Sequence, residues 1–336
     1  MPGQQLNLLC IDGGGVKGLS ALYIIGKLME FINPDDPPKP CDYFDMIGGT
    51  STGGLIAIML GRLEMSVGDC IEQYIALQDK IFRPVQRIPV GWFGGVQGRY
   101  NHVALEEGVK ALLRSRGLEE DALLKDQEKK ACKVFVTATS AGSSTTDVLA
   151  SYYRRRGAAE LYRCTRVWEA ARATSAASTF FESIDIGLSA RRFRDGGTGA
   201  NNPVFTMWKE ASDVFCGSNG SLDADLACLV SVGCGIESLK KFGENAPSLV
   251  KTLAAIATET EATARHFLDT RPLLYDTGKY HRFSAPSVGD IDMDKPEEKS
   301  AIAQMTDHYI GGKEIQDRMT LCASKLSDRE STSPYH

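Results

Sequence analysis

The sequence predicts a layered α/β domain. Three observations carry that reading. Short apolar runs of strand length alternate with longer stretches whose apolar residues recur at helical spacing. Two of these runs end in glycine-rich turns that lead straight into helical patterns, at Asp12-Gly13-Gly14-Gly15 and at Gly49-Thr50-Ser51-Thr52-Gly53-Gly54. The chain has 336 residues, of which 43% are hydrophobic and 24% charged. That is ample for a buried core and unlike disordered, collagenous or coiled-coil chains.

Taken in order, Leu6 to Ile11 reads as a buried strand, closed by Asp12 and three glycines. A helix is expected from about Val16 to Phe31, with Leu19, Leu22, Tyr23, Ile25 and Leu28 on its apolar face. Asn33-Pro34-Asp35-Asp36-Pro37-Pro38 stops it. A second strand, about Tyr43 to Gly48, leads into the Ser51 turn, and Leu55 to Leu63 reads as the following helix. Further helices are expected near 66–82, 101–116 and 166–176. Lys133 to Thr139 is β-branched and alternating, hence a strand, and Ala150 to Arg154 is expected to be another. Phe193 lies in an extended segment just before Asp195-Gly196-Gly197. A helix near 204–215, a buried strand at 226–233, a long helix over 247–269 and an amphipathic helical tail after 296 complete the reading. No repeat and no low-complexity linker divides the chain. Residues 1–336 are therefore expected to form one domain, with its motif core at about 6–235 and helical and strand elements of the same domain over 236–336.

Composition excludes several functions. The formal net charge is −5, which argues against a nucleic-acid footprint over the whole domain. No run approaches the roughly 18 apolar residues of a membrane span. The start Met1-Pro2-Gly3-Gln4-Gln5 lacks a basic region followed by an apolar run, so no secretory leader is expected and a cytoplasmic location is. There are nine cysteines and no C-x-x-C. Cys10, Cys228 and Cys234 sit in strand-like apolar runs, which predicts reduced core thiols. The spacing indicates no zinc site, and no cofactor is expected.

Gly49-Thr50-Ser51-Thr52-Gly53 has the form G-x-S-x-G between a strand and a helix. In that setting a sharp turn lifts the serine hydroxyl clear of the sheet and places it beside free N–H groups of the helix start. The other reading is a glycine-rich turn with a capping hydroxyl. About two strands precede Ser51, too few for an α/β-hydrolase elbow. None of His102, His266, His281, His308 and His336 lies in a glycine-bounded loop, so a Ser-His-Asp triad has no evident base.

Gly13, Gly15 and Gly18 also satisfy G-x-G-x-x-G. A dinucleotide site would need an acidic residue about 20 residues on, at the end of the second strand; the Ser51 turn occupies that position. Consecutive glycines at a helix start serve equally to turn successive N–H groups onto an oxyanion. Lys17 is expected in solvent, able to add positive charge nearby. Asp195 before Gly196 and Gly197 is, taken alone, consistent with a simple turn.

The ordered set of three motifs resembles the patatin-like phospholipase family: a D-G-G-G-x-[RK]-G loop, a G-x-S-x-G elbow and a D-G-[GA] motif. Tyr43-Phe44-Asp45-Met46-Ile47, Ala173-Thr174-Ser175-Ala176-Ala177 and Asn201-Asn202-Pro203 are similar to the family as well. The resemblance implies a three-layer α/β/α sandwich around a central mixed, largely parallel sheet. It implies a Ser–Asp dyad, with Ser51 as nucleophile and Asp195 as general base. Gly13, Gly14 and Gly15 would line the oxyanion hole, supported by Asp12, Lys17, Gly18, Gly49, Gly53, Gly196 and Gly197. The implied activity is lipid acyl hydrolysis of the calcium-independent phospholipase A or lysophospholipase type on a phospholipid or other acyl-ester lipid, without a metal. A transacylase on the same dyad and a catalytically silent lipid-binding signalling module are the alternatives. Peripheral membrane contact is expected through the apolar loop Pro89-Val90-Gly91-Trp92-Phe93-Gly94-Gly95. A cationic zone formed by Arg154, Arg155, Arg156, Arg163, Arg166, Arg191, Arg192 and Arg194 is a second candidate for lipid attraction.

Overall fold

The computed structural model describes residues 5–81, 102–125, 132–143, 145–155, 157–176, 183–195, 200–216, 221–236, 248–286, 288–292 and 294–328, with backbone alone over 248–258. The loop at 83–100, with its Pro89–Gly95 stretch, lies outside the described residues, as do Arg156, Ala177, Gly196 and Gly197.

Among the described residues, eight strands form one mixed sheet. They are β1 (Leu6–Ile11), β2 (Met46–Thr50), β3 (Lys133–Ser140), β4 (Thr146–Ala150), β5 (Ile184–Ile186), β6 (Arg191–Asp195), β7 (Leu226–Val232) and β8 (Tyr280–Phe283). The pairs β3–β2, β2–β1, β1–β7 and β7–β8 are parallel. β4 and β6 both run antiparallel to β3, and β5 runs antiparallel to β6.

The register at β3 positions the site. Phe135, Val136 and Thr137 pair with β2 on one edge and β4 on the other. Ala138 and Thr139 pair with β4 and β6. β6 therefore occupies the same edge of β3 as β2, just beyond its end. The two strands approach head to head, so the chain leaving β2 at Thr50 meets the last residue of β6, Asp195.

The principal helices are α1 (Gly18–Ile32), α2 (Thr52–Ala57, continued by a π-helical turn Ile58–Arg62), α3 (Val67–Ile81), α4 (His102–Ser115) and α5 (Val167–Thr174). Further along are α6 (Val204–Ala211), α7 (Ser248–Thr270), α8 (Lys299–Ile310) and α9 (Lys313–Ser327). β1 shows why the sheet is covered on both faces. Leu9 and Ile11 join the core under α1, α8 and α9, whereas Leu6, Leu8 and Cys10 join a second core with Met207 of α6 and Phe267 of α7. Side chains alternate across a strand, so an unbroken apolar run implies burial on both faces. The result is the expected three-layer sandwich around a mixed, largely parallel sheet.

Several boundaries differ from expectation. Pro40–Tyr43 is a single helical turn, and β2 begins at Met46 and runs on to Thr50. The helix after Ser51 starts at once, at Thr52 rather than Leu55. β4 lies four residues before the expected strand at 150. Tyr152 and Arg154 instead reach the buried Glu210 on α6, with Tyr152 Oη at 2.9 Å and Arg154 Nε and Nη2 each at 2.7 Å. The expected cationic zone is partly neutralised in this way. Arg154 pairs with Glu210, Arg166 with Asp121 and Glu169, Arg191 with Asp147, and Arg192 with Asp185.

All nine cysteines are free thiols, and Cys10, Cys228 and Cys234 are buried as expected. Although the sequence spacing shows no Cys/His cluster, the fold brings Cys228, His281 and Cys322 together, with ligand atoms within 4.8 Å of one another.

Candidate active site

Ser51 sits between β2 and α2 with φ 53° and ψ −122°. A non-glycine residue at positive φ is strained by roughly 1–3 kcal/mol and persists only where its surroundings hold it. The Ser51 N–H donates to Thr174 Oγ1 at 2.8 Å, and its carbonyl accepts from Leu55 N–H at 3.0 Å. The flanking glycines permit the turn. A Cβ on Gly53 would stand 2.3 Å from the Ile11 carbonyl oxygen, and one on Gly49 would stand 2.1 Å from that of Gly53. The chain thus crosses the end of β1 at backbone contact.

Ser51 Oγ donates to Asp195 Oδ2 at 2.8 Å. Asp195 is 6% exposed. Its N–H donates to the Ala176 carbonyl at 2.9 Å, and its carbonyl accepts from Thr139 Oγ1 at 2.8 Å. Backbone bonds on both sides therefore fix the carboxylate bearer independently of Ser51. Thr50 Oγ1 lies 2.7 Å from Thr137 Oγ1 and 2.6 Å from the Ala200 carbonyl, joining β2, β3 and the segment after Asp195.

The glycine loop lies against the serine, for a Cβ on Gly13 would stand 3.1 Å from Ser51 Cβ. Gly13 is gripped at both ends of its peptide links. Its N–H donates to the Asn201 carbonyl at 3.0 Å, and its carbonyl accepts from Asn201 Nδ2 at 3.2 Å. Among the described residues no acceptor pairs with the N–H of Gly14 or Gly15. Because the peptide is planar and trans, holding the Gly13 and Gly14 carbonyls on Asn201 Nδ2 and Lys17 N–H turns the next N–H of each link the opposite way. The Gly15 carbonyl accepts from Tyr74 Oη at 2.6 Å and Thr52 Oγ1 at 3.1 Å, with Gln78 Nε2 at 3.5 Å. Gly14 packs on Cys234, where a Cβ would stand 2.2 Å from that residue's Cβ, and Gly18 packs on Thr52 and Tyr74. Lys17 is not in solvent, as its sequence context suggested, but only 3% exposed.

Asp12 takes a role invisible in the sequence. It is 1% exposed, and its Oδ2 accepts from Arg282 Nη2 of β8 at 2.6 Å. The same nitrogen reaches Glu261 Oε1 of α7 at 2.6 Å, and Arg282 Nη1 donates to Ser231 Oγ of β7 at 2.9 Å. Burial pushes the Asp12 carboxyl up to about 6, while Arg282 pulls against it; the carboxylates of Asp12 and Glu261 keep Arg282 firmly protonated. Thus the strand end bearing the glycine loop is anchored to β7, β8 and α7. Asn202 adds a further tie, donating from Nδ2 to the Thr260 carbonyl of α7 at 3.1 Å and accepting Val204 N–H at the start of α6.

The serine, the carboxylate and the glycine loop converge as the motif order implied. The Patatin-like phospholipase profile matches residues 9–208, a span that includes all three. The chain belongs to the patatin-like phospholipase family. It is 28% identical over 341 residues to the "Calcium-independent phospholipase A2-gamma" of Mus musculus, covering 98% of this chain and 41% of that one. It is 29% identical over 291 residues to the "Phospholipase A I" of Arabidopsis thaliana, covering 70% of this chain and 21% of that one. With the "Patatin-like phospholipase 1" of Plasmodium falciparum (isolate NF54) it shares 25% over 358 residues, 99% of this chain and 51% of that one. The chain thus spans between about a fifth and about half of the length of these patatin-like relatives. Thr174, Asn201, Asn202, Arg282 and Glu261 complete the architecture around the motifs. The first three lie in stretches similar to the family, whereas Arg282 and Glu261 carry no local signal.

Proposed function

We propose that this patatin-like chain is a lipid acyl hydrolase that cleaves fatty acyl esters through an acyl-Ser51 intermediate. The observation that carries the reading is the 2.8 Å bond from the strained Ser51 hydroxyl to Asp195 Oδ2. Ser51 Oγ attacks the ester carbonyl carbon as its proton passes to Asp195. An ordinary carboxyl group titrates near 3.9, far below a serine hydroxyl, so proton transfer accompanies attack rather than precedes it. The developing oxyanion is met by the N–H groups of Gly14 and Gly15; one such donor contributes roughly 3 kcal/mol. Collapse expels the alcohol, which takes the proton from Asp195. Water then attacks the acyl-enzyme, again giving its proton to Asp195, and collapse releases the fatty acid as Ser51 Oγ takes that proton back. No step uses a metal.

The relatives named phospholipases support a phospholipid as substrate. No helix among the described residues is long and apolar enough to cross a membrane, and the proposed approach to lipid is peripheral. The test combines fluorophosphonate labelling with hydrolysis of phospholipid vesicles, for wild type, Ser51→Ala and Asp195→Asn. Labelling and fatty-acid release that vanish with Ser51 and fall with Asp195 are expected. Undiminished hydrolysis by Ser51→Ala would overturn the reading.

A further inference from the structure

We infer that Cys228, His281 and Cys322 form a site for one thiophilic metal ion that ties the C-terminal helix to the sheet. The three residues come from β7, β8 and α9, and each is buried. Cys228 Sγ and Cys322 Sγ are 3.8 Å apart, and a ring nitrogen of His281 completes a set lying within 4.8 Å of one another. Two thiolates each about 2.3 Å from zinc, at the tetrahedral angle, stand about 3.8 Å apart. The sulfurs therefore already hold the spacing that one shared ion imposes. They are far outside the roughly 2.05 Å of a disulfide.

The histidine is prepared in the same sense. His281 Nε2 lies 3.0 Å from the Gly278 carbonyl. A carbonyl only accepts, so Nε2 carries a proton. In the neutral ring that leaves the lone pair on Nδ1. Metal-bound histidines characteristically donate their other N–H to a carbonyl or carboxylate in this way, which fixes tautomer and ring orientation. The Phe283 ring lies parallel to His281 at 6.2 Å between centroids.

Binding is a proton exchange without redox chemistry. Two Cys S–H bonds break, two metal–sulfur bonds form and two protons go to solvent. With zinc, two thiolates cancel the ionic charge, so the buried complex is neutral and escapes the cost of an isolated buried ion. Soft sulfur ligands with one imidazole select zinc or cuprous copper over harder ions. The set is distinct from Ser51 and Asp195. It shares β8 with Arg282, so an ion at His281 also steadies the strand that holds Asp12.

The test uses the full chain, reduced with a phosphine and stripped with a chelator. It is then titrated with Zn²⁺ in one arm and Cu⁺ in another, with Co²⁺ as the spectroscopic probe. The expected result is one ion per chain, a thiolate-to-cobalt charge-transfer band and a rise of a few degrees in Tm. His281→Gln and Cys228→Ser should each weaken binding at least about a hundredfold, while Cys41→Ser, outside the cluster, leaves it unchanged. Uptake of Cu⁺ alone supports the site and assigns it to the monovalent ion. Absence of stoichiometric metal from wild type in both arms overturns the proposal, whatever the variants do. Full retention of the ion by a folded His281→Gln protein overturns it as well.

Discussion

Asp12 and Asp195 look alike in the sequence and differ in the fold. Each stands at a strand end, each precedes a run of glycines, and each is buried, at 1% and 6% exposure. Asp195 Oδ2 accepts from a serine hydroxyl, and Asp12 Oδ2 accepts from a guanidinium that Glu261 also holds. A carboxylate oxygen committed to a permanent cation serves to anchor it. One aimed at a hydroxyl on a strained turn is placed to take its proton. The same short motif thus serves architecture at one strand end and, in the proposed function, chemistry at the other.

The sharpest way to break this contrast is to exchange each aspartate for its neutral isostere. Asp195→Asn is expected to lower kcat by roughly 10²- to 10⁴-fold while shifting the thermal midpoint little. Asp12→Asn is expected to do the reverse, lowering the midpoint more than kcat. Paired activity and thermal-unfolding measurements decide it. An Asp12→Asn protein of normal stability that no longer labels with fluorophosphonate would show that the roles were assigned the wrong way round.

Arg282→Met probes the anchor itself. It leaves a buried Asp12 carboxylate without its cation, a change that costs about 3–5 kcal/mol, read from chemical denaturation near pH 7. The double variant Asp12→Asn/Arg282→Met should recover part of that loss. The sign of the pH dependence follows from the raised Asp12 pKa of about 6. The folded protein binds this proton more tightly than the unfolded chain. Its contribution is therefore greatest below about pH 4 and declines as pH rises through 6, by roughly 1–3 kcal/mol. The stability of wild type relative to Asp12→Asn should fall across that window and level off above it. A relative stability that rises there would refute the assignment.

These partners also mark how far the sequence can be read. β1, α1, β3 and β7 were legible because an apolar run of strand length or a 3.6-residue period states its own structure. Ser51 and the glycine loops were legible because tight strand-to-helix turns demand glycine locally: Gly53 meets the Ile11 carbonyl across a gap that no Cβ fits. β4 was misplaced by four residues because Tyr152 and Arg154 look strand-like, and only the distant Glu210 draws them out of the sheet. β8 has four residues and no periodicity to announce it, yet it carries Arg282 and His281. Contacts that close over such separations leave no mark in the local pattern. The oxyanion assignment shows the same limit. Gly13 belongs to the motif, but its N–H is committed to Asn201, which leaves Gly14 and Gly15 as the donors in the proposed mechanism.

The smallest test concerns how the loop bearing those donors is held. Tyr74 Oη donates to the Gly15 carbonyl at 2.6 Å, beside Thr52 Oγ1 at 3.1 Å. Tyr74→Phe removes one of these donors and preserves the ring, which is buried in the core under α1 and α3. A buried hydrogen bond of this kind contributes about 1 kcal/mol, and the remaining hydroxyl continues to hold the carbonyl. The expected effect is a fall in kcat of about fivefold with KM unchanged, because the link being loosened orients groups that act on the transition state rather than on bound substrate. If KM rises and kcat holds, the tyrosine serves substrate binding, and the Gly15 carbonyl is not what aims the loop. If neither changes, the Asp12 anchor on Arg282 and the Asn201 grip on Gly13 suffice to fix the loop. The contrast between the two aspartates then becomes sharper, since the architectural one would carry the positioning without help from α3.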